Sequence, residues 1–201
     1  MSTEAEQIIG LYRRHADAWV KQRGHALPER KWLQKFTDLL TPGASVLDLG
    51  CGFGSPIGRH LLDNGFHVSG VDSSPELIAI ARDSLTSGNW TVGDMRQLAL
   101  DEQFGGVIAW NSFFHLTPDD QRKMFRVLRE HCAKEAALMF TSGPSHGEAI
   151  GTFEGEPLYH SSLDTAEYET LLDNHGFDVV EHAIEDPECG GQTVWLARRI
   201  D

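Results

Sequence analysis

Val46-Leu47-Asp48-Leu49-Gly50-Cys51-Gly52-Phe53-Gly54 is the stretch from which the rest of this chain can be read. Its first half is a short apolar run interrupted by one acid, which suits a buried strand. Its second half places glycine at every other position, where the backbone can take positive φ and a ligand can approach the main chain closely. In an open α/β sheet such a turn lies beyond the carboxyl ends of the strands, at the switch point where ligands bind. The glycines fall at 50, 52 and 54, with Pro56 soon after. A dinucleotide fingerprint instead spaces them as G-x-G-x-x-G to seat a pyrophosphate on a helix N-terminus, so the turn argues for a different ligand.

Outward from this turn, β-rich apolar runs alternate with helical patterns, the signature of βαβ units and a mostly parallel sheet. Five strands are expected: Ser45 to Gly50, His67 to Asp72, Trp90 to Asp94, Gly106 to Asn111 and Ala136 to Ser142. Ser73 with Glu76, and Pro75 in the first turn, predicts a helix start. Thr117, Pro118 and Asp120 open another, whose Met124, Phe125, Leu128 and Cys132 share one apolar face. Asp164 and Glu167 open a third, through Tyr168, Leu171 and Leu172, ending at Gly176. Two more runs, Asp178 to Ile184 and Thr193 to Ala197, follow each other without a helix between, so an antiparallel edge pair is expected. Ahead of the sheet, Ile8, Leu11, Tyr12, His15, Trp19 and Val20 keep a helical period, and a second helix is expected from Pro28 to Leu40. These helices of residues 1–44 lie outside the βαβ units and could cover the mouth of a site.

Two acids close the next strands. Asp72 ends the second strand about 20 residues after the turn, where a carboxylate can accept from both hydroxyls of a ribose. Asp94-Met95 ends the third, where the acid can accept from an exocyclic amine and the methionine can pack on an adenine ring.

The 201 residues are expected to form one domain. With 17 basic and 30 acidic residues the net charge is −13, a surface that repels phosphate backbones and anionic lipid, so DNA and membranes are poor partners. The basic residues Arg13, Arg14, Lys21, Arg23, Arg30, Lys31 and Lys35 read as a solvated helix face. The acidic, polar start MSTEAEQIIG has no apolar run of the secretory kind, and a cytoplasmic location is expected. Cys51, Cys132 and Cys189 are odd in number and far apart, which suits a reducing compartment. His175, His182 and Cys189 match no ligand spacing, and no metal is expected.

VLDLGCGFG, GVDSSPELIAIAR, GDMRQL and FGGVIAWNSFFHL, in that order over roughly residues 45 to 143, resemble the successive motifs of the class I S-adenosylmethionine-dependent methyltransferases, specifically the small type 11-like methyltransferase-domain group. The resemblance implies an α/β, Rossmann-like sheet of seven strands in order 3-2-1-4-5-7-6, strand 7 antiparallel, with helices on both faces. It implies S-adenosylmethionine as cofactor, S-adenosylhomocysteine as product and a small-molecule methyl acceptor. Carried over by position, Gly50, Cys51, Gly52 and Gly54 line the methionine part and Asp48 orients its amino group. Asp72, with Ser73 beside it, holds the ribose, Asp94 and Met95 frame the adenine, and Asn111 walls the sulfonium. Ser55-Pro56 and Asn111 depart from the commonest residues of the family at those places.

Methyl transfer needs a general base only when the acceptor must lose a proton. His115, after the fourth strand, has an unperturbed pKa suited to that role; the alternative is a packed His before the Thr117 cap. The stretch Gly143 to His160, rich in glycine, reads as a long functional loop, with Tyr159 and His160 facing the methyl group. Tyr12 and Trp19 could close the site from the N-terminal helix. Two other readings remain: a non-catalytic S-adenosylmethionine-binding protein, and a nicotinamide-dependent oxidoreductase, against which the glycine spacing argues.

Overall fold

The apolar run after Ala44 becomes β1 (Ser45–Leu49), a central strand paired in parallel with β2 (His67–Asp72) on one side and β4 (Phe104–Ala109) on the other. The computed structural model describes residues 3–200. β3 (Asn89–Val92) extends the sheet past β2, and β5 (Cys132–Ser142) extends it past β4. β9 (Gln192–Arg199) runs antiparallel to β5, and β8 (Phe177–Asp186) pairs antiparallel to β9 at the edge. The sheet order is β3-β2-β1-β4-β5-β9-β8. With β8 and β9 as the sixth and seventh strands of the sheet, this is the 3-2-1-4-5-7-6 order expected from the resemblance.

Alternation along the strands splits the core into two layers, because successive side chains point to opposite faces. Leu47, Leu49, Val107 and Phe140 pack under α6 (Pro118–His131) and α7 (Thr165–Asn174). Val46, Ile108 and Met139 pack under α3 (Arg30–Asp38), α4 (Ile57–Asp63) and α5 (Pro75–Ser84). Thr117 caps α6 and Asp164 caps α7 as the sequence indicates. The cap of α5 differs: Ser74, one residue later than expected, accepts from the Leu77 amide. Proline at the first helical position fixes the cap on the residue before it, which leaves Ser73 outside the helix.

The stretch Gly143 to His160 is not a loop. It folds with the residues after it as a two-stranded hairpin, β6 (Gly147–Phe153) and β7 (Glu156–Ser162), with the turn at Glu154 and Gly155, both at positive φ. Alternation in Ile150, Thr152, Leu158 and His160 was masked by the glycines, which weaken a strand signal without forbidding strand pairing.

The N-terminal helical stretch is two helices, α1 (Thr3–Arg14) and α2 (Ala16–Arg23), broken at His15. The break has a partner. His15 Nε2 lies 2.6 Å from a Glu156 carboxylate oxygen, and the Arg14 guanidinium binds the same carboxylate. The bonds hold the Glu156 carboxyl down to about 2, Arg14 contributing most. The α1–α2 corner is thereby fastened to the hairpin.

Under the glycine turn, Trp90 is buried among Gly54, Gly58, Gly70 and Gly88, and its indole N–H donates to Leu85 O at 2.8 Å. A Cβ on Gly70 would stand 2.4 Å from the Trp90 ring and 2.7 Å from Cys51 Sγ. Overpacking of that kind costs about 1–3 kcal/mol. Gly70→Ala is therefore expected to lower the unfolding free energy by that margin, read as a lower urea midpoint with an unchanged slope; an unshifted midpoint would show that the ring has room to move.

Candidate functional site

The carboxyl ends of β1, β2 and β4 meet at the glycine turn because their registers are level, Leu49 lying opposite Val71 and Asp48 opposite Ile108. Gly50 N and Cys51 N both donate to Val71 O, at 2.8 and 3.2 Å, so the turn is sewn to the neighbouring strand. Gly52 N donates to Asp72 Oδ2 at 2.8 Å, and Ser74 N to Asp72 Oδ1 at 2.8 Å. A carboxylate has about four acceptor positions, so these amides fix Asp72 and leave others open. Burial raises the Asp72 carboxyl above its usual range, and the amide bonds pull it back.

Two cavities flank this turn. The larger, of about 190 Å³, runs over Asp72, Ser73, Met95 and Asp94 to Ser112 and His115, under Ile8 and Tyr12 of α1 and Trp19 of α2. The smaller, of about 40 Å³, is lined by Asp48, Cys51, Ser55, Trp110 and Arg23. Gly50, Gly52, Trp19 and Asn111 belong to both. A Cβ on Gly50 would fall 2.3 Å from Ser112 Cβ, and one on Gly52 would come within 3.3 Å of Trp19 Nε1. The wall thus stands as close as the missing side chains permit.

Nine of the ten residues expected to touch a cofactor line one cavity or both: Asp48, Gly50, Cys51, Gly52, Asp72, Ser73, Asp94, Met95 and Asn111. Gly54 does not. A Cβ there would meet Leu85 and Trp90 at 2.8 Å, so this glycine serves close packing under the turn. Asp94 lines the larger cavity, but its carboxylate is held by Arg96 Nη2 at 2.6 Å and Nε at 3.0 Å, and it caps the turn Met95–Gln97. Burial works to raise the Asp94 carboxyl, and the Arg96 bonds outweigh it and hold it below the usual range. Asn111 takes a left-handed φ of 50°, which Asn tolerates, and its amide donates to Thr141 Oγ1 at 2.8 Å. Its Oδ1 is buried with no hydrogen-bond partner among the described residues.

The three candidates for catalysis separate. His115 lines the larger cavity. Its Nε2 is 3.0 Å from the Tyr12 hydroxyl and its Nδ1 is 2.8 Å from Tyr159 O. Burial pushes the imidazole down to about 4, against the Tyr159 bond, so the near-neutral pKa that suited it to proton removal is not retained. Tyr159 is fully buried, and its hydroxyl donates to Glu148 Oε1 at 2.6 Å. His160 stacks obliquely on His115 with centroids 4.9 Å apart. Neither Tyr159 nor His160 lines the cavities, because strand alternation in β7 sends Tyr159 into the α1–hairpin cluster of Ile8, Leu11 and Phe153.

Arg23 and Arg96 were missed by sequence. Arg23 stood within a basic cluster read as a solvated face, yet its side chain is only 15% exposed, bonded to the buried Glu29 and facing the smaller cavity. Its spacing of four from Trp19, on the same helix face, was the available signal.

A family model described as a methyltransferase domain matches residues 46–135. The chain is 27% identical over 173 residues to an arsenite methyltransferase of Halobacterium salinarum, covering 80% of this chain and 44% of that one. It is 35% identical over 117 residues to a magnesium-protoporphyrin O-methyltransferase of Rhodobacter capsulatus, covering 56% of this chain and 50% of that one. The chain thus spans about half the length of these curated relatives. Among solved structures, the 1,6-didemethyltoxoflavin-N1-methyltransferase of Burkholderia thailandensis, with bound 1,6-didemethyltoxoflavin and S-adenosylhomocysteine, superposes with a TM-score of 0.75 at 19% identity, covering 100% of this chain and 92% of that one. An amino pentose methyltransferase from Micromonospora echinaspora, bound to S-adenosylmethionine, superposes with a TM-score of 0.71 at 18% identity, covering 91% and 95%. At these identities the structural likeness is one of fold.

Asp48, 3% exposed, carries the strongest electrostatic consequence. Burial and then the Asp72 carboxylate raise its carboxyl from 3.8 to about 7; Arg23 opposes and Glu29 adds to the rise. The folded protein therefore holds a proton that the unfolded chain has released, so stability from this group is present below about pH 4 and is lost as pH rises toward about 7. Asp48→Asn is expected to raise Tm at about pH 8 and to give no gain near pH 4. Thermal unfolding at the two pH values checks this, and a gain of equal size at both would mean that ionisation of Asp48 is not its source.

Proposed function

We propose, from the premise that residues 46–135 belong to the methyltransferase-domain family, that this protein transfers a methyl group from S-adenosylmethionine to a small-molecule acceptor. The observation that carries the reading is Asp72, fixed by the Gly52 and Ser74 amides at the end of β2 and still open toward the larger cavity. A carboxylate so held is suited to the two hydroxyls of a ribose.

The remaining surfaces fit the other parts of the same molecule. Met95, packed over the end of β3, offers a polarizable face to an adenine ring, and Gly50 and Gly52 leave the turn bare of side chains. Asp48 and Arg23 face the smaller cavity and suit the amino and carboxylate ends of a methionine, the ammonium group favouring the ionised form of Asp48. Asn111 Oδ1, buried and unpartnered where the two cavities meet, suits the neighbourhood of a positive sulfur. The cofactor supplies a methyl group activated by the sulfonium.

This chain's own residues bind, orient and exclude water. Aligning two reactants in a closed, dry pocket is worth effective molarities of about 10⁵ M or more, and α1 and α2 roof the larger cavity at Ile8, Tyr12 and Trp19. The roof and sheet read as one methyltransferase unit, with the segment before residue 45 as the cover. The arsenite and magnesium-protoporphyrin relatives favour a small molecule as acceptor, and the net charge of −13 disfavours nucleic acid. Three unpaired cysteines support a reducing compartment, the cytoplasm in this reading. No helix among the described residues is long and apolar enough to cross a membrane.

Calorimetric titration tests the reading. S-adenosylmethionine is expected to bind and NAD and NADP are not. Asp72→Ala is expected to weaken cofactor binding by about 10- to 100-fold, the loss of charge-assisted hydrogen bonds worth about 1.5–3 kcal/mol; an unchanged Kd would remove the ribose assignment. Release of S-adenosylhomocysteine on addition of a small-molecule extract separates an enzyme from a protein that only binds the cofactor.

A further inference from the structure

His115 has no uncommitted nitrogen. The Tyr159 carbonyl oxygen beside Nδ1 can only accept, so Nδ1 carries the proton. Nε2 is then a bare lone pair, and the Tyr12 hydroxyl donates to it at 3.0 Å. With its proton so directed, the Tyr12 oxygen has only lone pairs to offer the cavity that it lines. The Trp19 ring stands edge-on to Tyr12 with centroids 5.4 Å apart and lines the same space. This end of the cavity therefore receives a hydrogen bond and is lined by aromatic rings.

Its two polar side chains, His115 and Tyr12, are poor bases. Burial holds His115 down to about 4 and raises the Tyr12 hydroxyl above its usual range. An alcohol or phenol must give up its proton as it attacks and needs a base within about 3 Å. An amine attacks in its neutral form, having given its ammonium proton to water before it binds, and then needs no base in the site.

We propose that the acceptor is a small molecule presenting a primary or secondary amine, whose N–H is received by the Tyr12 oxygen. The proposal rests on the methyl-transfer reading above. The nitrogen lone pair forms the new N–CH₃ bond, the electrons of the breaking C–S bond stay on sulfur, and sulfur becomes a neutral thioether. Nitrogen becomes an ammonium, and its proton leaves to water. That cation forms in a cavity lined by the acids Glu6, Asp72, Asp94 and Asp120, with Arg96 and the unprotonated His115 beside them. The Tyr12 and Trp19 rings line the same space. His115 is a positioning residue: it turns the Tyr12 proton away from the acceptor.

The test uses the intact protein, methyl-labelled S-adenosylmethionine and a small-molecule extract of the cells that make the protein. The extract is passed over a cation exchanger, and half of the retained fraction is acetylated with acetic anhydride. Label is expected in the retained fraction, on nitrogen, and to fall at least tenfold after acetylation. A retained fraction that takes no label, label that survives acetylation, or a product methylated on oxygen, sulfur or carbon overturns the proposal. Cofactor titration on the same preparation keeps the two readings apart: absent binding defeats methyl transfer itself, whereas intact binding with an unlabelled amine fraction defeats the amine alone. With the labelled acceptor in hand, Tyr12→Phe is expected to cost about tenfold in kcat/KM, mainly through the KM of the acceptor. In His115→Phe the freed Tyr12 hydroxyl can donate, and KM is expected to rise in the same way; an unchanged KM in both variants counts against the contact.

Discussion

The amide of Gly52 and the carboxylate of Asp72, 2.8 Å apart, join the turn after β1 to the end of β2, and the site is arranged around that bond. It works together with the paired bonds from Gly50 N and Cys51 N to Val71 O. Three backbone donors of one turn are thus spent on one neighbouring strand, which holds the turn against the sheet while its outer face stays free of side chains. Ser112, whose hydroxyl donates to Leu49 O at 2.7 Å, fills the space beside Gly50 from the β4 side. A side chain at Gly50 would displace Ser112, and one at Gly52 would crowd Trp19. The positions are glycine because walls approach them from two directions.

The roof over this floor is built from elements distant in sequence. Glu156, at the start of β7, receives Arg14 and His15 from the α1–α2 corner. Less than one turn of helix away, Tyr12 reaches His115, and His115 reaches the backbone of the same β7. The hairpin is therefore a buttress for the N-terminal helices. Its inward residues, Phe153 and Tyr159, pack with Ile8 and Leu11. Because Tyr159 contributes its carbonyl and not its hydroxyl, the site takes from β7 a fixed acceptor that sets the tautomer of His115.

The electrostatics of the floor set binding against stability. Asp48 and Asp72 are neighbours whose carboxyls are both pushed upward, chiefly by burial. Folding them together costs free energy that a better-packed apolar pair would not, and such perturbed groups cluster where a ligand is to be held. Arg23, pinned by Glu29, offsets part of that cost at Asp48. The arrangement suits a ligand that brings positive charge to the acids.

The strands, their mostly parallel pairing and the floor of the candidate site were legible in the chain itself, because local signals and a tertiary requirement coincide there; the strand order followed from the family resemblance. A strand that must be buried reads as an apolar run, a turn that must be bare reads as glycine, and Asp72 and Met95 fall at strand ends whose positions the alternation of elements already dictates. The roof was not legible. Glycines hid the hairpin of residues 147–162, and no local pattern says that Glu156 will meet Arg14 or that Arg23 will turn inward. The ionisation of His115 was decided only by tertiary structure, since its pKa depends on how much water the N-terminal helices remove from around it. Sequence determined which groups stand along the sheet edge; the long-range packing of α1, α2 and the hairpin decided which of them face the cavity and in what protonation state.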